Sequence, residues 1–112
     1  MHLPAPVQLS PAEGAVFDHY PRVTKLSWSP VEGAVSYAVE VDSCAGGVKD
    51  KQACLNPQPL RIKSNAPTSG IVNTAYEFTF GGMQTGRWRV RAVDKEGREG
   101  FKSSWRQFIY LR

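Results

Sequence analysis

The sequence predicts an all-β chain, a two-sheet antiparallel β-sandwich of about seven strands. Three observations carry this. Eight prolines and ten glycines are spread through 112 residues and leave no window for a long helix. The stretches between them alternate apolar and polar side chains with a period of two. The length suits a single domain, residues 1–112, with one buried core.

The elements follow in order. Val7-Gln8-Leu9 is a short opening strand, stopped by Ser10-Pro11 and the turn Ala12-Glu13-Gly14. From Val23 to Ser29, Thr24, Leu26 and Trp28 share one face, and Ser29-Pro30-Val31-Glu32-Gly33 turns the chain. Val35, Tyr37, Val39 and Val41 share the inner face of the next strand, with Ser36, Ala38, Glu40 and Asp42 outside. Residues 43–73 form a long Gly-, Pro- and Asn-rich insertion in which Leu60-Arg61-Ile62-Lys63 is the one strand signal. Tyr76, Phe78 and Phe80 then alternate with Glu77 and Thr79. Trp88, Val90 and Ala92 alternate with Arg87, Arg89 and Arg91, and Asp94-Lys95-Glu96-Gly97 is a hairpin turn. Trp105 to Leu111 closes the fold with Phe108 and Tyr110 inward.

The composition narrows the class. Hydrophobic residues at 41% and charged residues at 21% disfavour disorder, and no apolar run reaches the roughly 18 residues of a membrane span. A net charge of +4 is mild for this length and disfavours a nucleic-acid partner. The opening Met1-His2-Leu3-Pro4-Ala5-Pro6 has neither a basic nor an apolar signal region, so it does not read as an intact secretory signal. Cys44 and Cys54 bracket a polar, Gly-containing loop outside any apolar strand. They read as a local disulfide worth about 2–3 kcal/mol, hence an extracytoplasmic setting (secreted, periplasmic or cell surface), the alternative being two exposed reduced thiols in a cytosolic protein. With His2 and His19 they lack metal-ligand spacing, so neither a metal nor a cofactor is expected.

Three segments carry a family resemblance. Leu26-Ser27-Trp28-Ser29-Pro30-Val31-Glu32-Gly33-Ala34-Val35-Ser36-Tyr37 resembles the second-to-third-strand segment of fibronectin type III modules, an immunoglobulin-like fold. Trp88 to Asp94, then Gly97 and Ser104-Trp105, resembles the sixth strand, its turn and the approach to the seventh. The opening Pro6-Val7-Gln8-Leu9-Ser10-Pro11 with Gly14 is similar to bacterial cell-envelope versions. The resemblance covers most of the chain except about 43–73, and implies the sandwich with the third and sixth strands as antiparallel neighbours. The family's sixth-strand tyrosine is replaced by Trp88, whose indole donates a hydrogen bond but accepts none. No Arg-Gly-Asp tripeptide is present.

Candidate chemistry is sparse. Asp18-His19 could orient an imidazole, but no nucleophile can be tied to it, and no phosphate loop, GxSxG or HExxH motif occurs, so an enzyme is not expected. On the expected neighbouring strands, Glu40 and Asp42 should meet Arg89 and Arg87, with Arg91 near Ala38. The core aromatics are structural. Arg87, Arg89 and Arg91, together with Trp105, Phe101 and Tyr20, form the candidate binding set, with Trp105 otherwise capping one end of the sandwich. The leading reading is a non-catalytic interaction or spacer module in contact with another protein or neighbouring domains of its own chain. The alternative is a carbohydrate-binding module in which loop aromatics and the basic face hold a polysaccharide.

Overall fold

The computed structural model describes residues 2–45, 56–59, 68–81 and 84–112, with backbone only at 45 and 56–59. The strands are β1 (Gln8–Ser10), β2 (Ala15–Phe17), β3 (Val23–Trp28), β4 (Ala34–Ala45), β5 (Asn56–Pro59), β6 (Ala75–Thr79), β7 (Thr85–Asp94) and β8 (Arg106–Tyr110). They form two sheets, β1-β3-β6 and β2-β8-β7-β4-β5. All pairs are antiparallel except β2 with β8. The expected opening strand is β1, and β2, beyond the turn that ends it, is a strand the sequence did not signal and joins the other sheet. Phe17 lies in β2 and packs on Tyr110 with ring centroids 5.0 Å apart.

The period of two puts the expected side chains between the sheets. Leu26, Trp28, Tyr37, Val39, Val41, Tyr76, Phe78, Phe80, Trp88, Val90, Ala92, Phe108 and Tyr110 form one buried cluster. Polar bonds tie the two sheets together. The Gln8 amide donates to the Trp88 carbonyl at 3.1 Å, and the Thr24 and Tyr110 hydroxyls lie 2.7 Å apart. Tyr37 turns its hydroxyl back to accept the Val31 N–H at 3.0 Å, fixing the turn before β4. After β7, Asp94 accepts from the N–H groups of Glu96 and Arg98, and Gly97 supplies the positive φ of 80° that the turn requires.

Two expectations are corrected. Val35 is 54% exposed, because a register irregularity between Ala34 and Ser36 shifts the alternation before Tyr37. Cys44 does not stand in a polar loop. It sits in β4 opposite Thr85 and is buried, while Cys54, and with it the expected Cys44–Cys54 bridge, lies outside the described residues. The expected strand Leu60–Lys63 also lies outside them, and the strand seen in the insertion is β5.

β5 contains two prolines, and its register explains how. Tyr37 exchanges both backbone bonds with Ile71, and the Val39 N–H reaches the Thr68 carbonyl, so odd-numbered residues of β4 aim away from β7. By the same parity Ser43 and Gln58 face each other, while Pro57 and Pro59, opposite Cys44 and Asp42, aim outward. A proline there forfeits only an N–H that would point off the sheet. The edge is left without donors at both positions.

Candidate functional site

The candidate site is built on the outer face of the five-stranded sheet. β4 and β7 pair with Glu40 opposite Arg89, Asp42 opposite Arg87 and Ala38 opposite Arg91, the register expected from sequence. Arg87 bonds Asp42 at 2.8 Å, Arg89 bonds Glu40, and Arg91 reaches Glu99 at 3.0 Å and Glu40 at 3.6 Å. Lys102 adds a bond to Glu40 at 3.1 Å. Four cations therefore meet three carboxylates in one network. The basic stripe is largely neutralised by its own chain. Each such cross-strand pair is worth about 0.2–1 kcal/mol.

Trp105 completes the face. The segment after the Asp94–Gly97 turn runs back along β7, held by Gly100 N–H to the Ala92 carbonyl at 2.7 Å and Ser103 N–H to the Val90 carbonyl at 2.9 Å. This lays the half-buried indole against the arginines, with the guanidinium carbons of Arg87 and Arg89 3.8 and 4.2 Å from the ring centroid. Trp105 neither caps an end of the sandwich nor stands free.

The remaining expected residues do not join this cluster. Phe101 is 63% exposed and meets the edge of the His2 ring at 5.5 Å. Tyr20 is 70% exposed in the β2–β3 loop, with the Arg22 guanidinium 5.2 Å from its ring, and sits at the other end of the sandwich. His19, beside Asp18, bonds the Pro21 carbonyl and packs on Phe17 and Tyr110. Sequence reasoning missed Glu99 and Lys102, whose roles depend on the path of the 99–105 segment. Their charge was visible but their neighbours were not.

Two carboxyls bear on stability. Burial works to raise the Glu40 pKa, but the hydrogen bonds and charges of Arg89 and Lys102 outweigh it and hold it below the ordinary 4.5. Asp94 is likewise held below 3.8, its partial burial outweighed by bonds from Arg98 and from the Glu96 N–H. A carboxyl depressed on folding contributes stability above its ordinary value, and that contribution is lost as the pH falls through its lower folded value. In urea unfolding, the midpoint of wild type should drop from neutral pH to below the ordinary carboxylate range more than that of E40Q/D94N. An equal drop in the two proteins would count against the assignment.

These features define a fibronectin type III-like β-sandwich with an ion-paired, tryptophan-covered outer sheet. The chain is similar to a solved Fn3-like protein from Clostridium thermocellum, at 19% identity and TM-score 0.58, covering 100% of this chain and 94% of that one. It is similar at the same identity and TM-score to part of a β-1,2-glucanase from Parabacteroides distasonis, covering 98% of this chain and 13% of the enzyme. At this identity the likeness is one of fold. No protein-family profile and no curated protein matches the chain.

Proposed function

We propose that the chain is a non-catalytic spacer and interaction module of an extracytoplasmic protein, working through protein–protein contact. The observation that carries this reading is the position of its two ends. His2 bonds the Glu99 carbonyl and Leu3 accepts the Phe101 N–H, both just beyond the turn that follows β7. Leu111 donates to the Phe17 carbonyl, and the Arg112 side chain meets Asp18 at the opposite pole, near the start of β3. A module entered at one pole and left at the other holds its neighbours apart along a line. With the chain placed between a donor and an acceptor fluorescent protein, energy transfer should be low and unchanged by salt. Transfer as high as through a short flexible linker would overturn the spacer role.

The extracytoplasmic setting rests on Cys44 and Cys54 forming a bridge across their loop. Protein purified without reductant and then denatured should titrate with no free thiol. Two thiols per chain would remove that support. The carbohydrate reading draws on the likeness to part of a glucanase, but the geometry favours it less. The arginines occupy the Trp105 ring, and Tyr20 and Phe101 lie at opposite poles, so the aromatics offer no shared platform for a sugar chain.

A further inference from the structure

The four sheet edges among the described residues are not equal. β1 is three residues long with a register irregularity, and β2 is three residues long. β5 turns two prolines outward. β6 alone is a regular five-residue strand with neither proline nor glycine. Soluble proteins blunt their edges, so an unblunted one marks a place for another strand. The Trp28 N–H bonds the Thr74 carbonyl and the Phe80 N–H bonds the Arg22 carbonyl, so even-numbered residues of this stretch aim at β3. Ala75, Glu77 and Thr79 therefore aim their N–H and C=O groups off the sheet, and among the described residues nothing bonds to them.

We propose that the β6 edge is a strand-addition site for an extended peptide that alternates apolar and polar residues and carries a lysine or arginine beside Glu77. The pleat sets the pattern. Residues of the added strand on the inner side lie alongside Tyr76 and Phe78, where apolar groups extend the core, and those on the outer side lie alongside Glu77. Glu77 is exposed and opposite Lys25, yet makes no ion pair among the described residues, so its charge is open to a basic partner. A second copy fits less well. The symmetric antiparallel register that pairs all of β6 with itself sets Glu77 against Glu77, a like-charge pair.

This inference rests on the protein-contact reading but is tested apart from the spacer experiment, which does not involve β6. The probe is the synthetic peptide acetyl-Thr-Val-Lys-Val-Thr-amide, and the readout is amide hydrogen exchange followed by NMR. Saturating peptide should slow exchange at Ala75, Glu77 and Thr79 by about tenfold or more and leave the β5 residue Gln58 unchanged. Replacing the peptide lysine with glutamate should weaken the effect. N-methylation of the peptide amides that face the edge should abolish it. E77P, which removes an outward donor and leaves the β3 ladder intact, should also abolish it, and the N-methylated peptide decides the matter if that variant does not fold. Unchanged exchange with excess peptide would overturn the proposal. So would protection that appears without peptide and grows with protein concentration, which would assign the edge to a second copy.

Discussion

Trp88→Ala should lower stability by about 3–5 kcal/mol, a large share of the roughly 5–15 kcal/mol that holds a domain folded. Trp88 is fully buried at the centre of β7 and is among the largest of the core side chains. Its ring lies 6.2 Å from that of Trp28 across the sandwich, and its carbonyl receives the Gln8 amide that bridges the sheets. Alanine would leave a cavity between the sheets that neighbours in two regular ladders cannot close. Trp88→Phe should cost less by at least about 1 kcal/mol. A phenyl ring keeps an aromatic body in place, and both variants alike remove the indole N–H, which is buried with no partner among the described residues. Urea unfolding followed by circular dichroism separates the two variants. If they lost the same amount, the retained ring would contribute nothing to the packing of the core.

That unpaired donor also shows what the sequence could and could not convey. The substitution of tryptophan for the family's tyrosine was legible, and so was the inability of an indole to accept a hydrogen bond. The alternation in β3, β6 and β7 and the Glu40–Arg89 and Asp42–Arg87 pairs were legible for the same reason. A period of two fixes which face each side chain takes, and the family resemblance implied the antiparallel neighbour that brings those pairs together. What failed depended on irregular backbone. The shift that exposes Val35 has no residue signature, Asn56–Pro59 reads as a loop because its prolines are tolerated only by a particular edge parity, and the return path of 99–105 places Trp105 on the arginines. The candidate site was therefore half legible. Its arginines could be named in advance, but the further carboxylate of Glu99, the fourth cation Lys102 and the cover by Trp105 could not. The β6 edge is a property of what does not pair with it, which no alternation pattern encodes.

Gly86→Val should destabilise the domain by about 1–3 kcal/mol or more, although intrinsic preference points the other way. Valine is favoured over glycine in strands by up to about 1 kcal/mol, and Gly86 lies within the ten-residue β7 without a positive φ, so the backbone itself would accept the change. The obstacle is aromatic packing. Gly86 is buried opposite Phe108, and a β-carbon built there falls 2.5 Å from one Phe108 ring carbon and 2.8 Å from Phe80. Those rings are locked in turn, with Phe80 edge-on to Phe108 at 5.0 Å and stacked near Tyr110 at 5.6 Å, so moving one displaces the cluster that closes this end of the core. The sign of the change therefore decides between propensity and packing. Placing G86V in a Phe108→Leu background adds the second measurement. If the contact is the cause, the two substitutions should cost less together than the sum of their separate costs, because leucine vacates the space the valine needs. Additive costs, or a stabilised G86V, would show that the ring cluster yields to a side chain at this position.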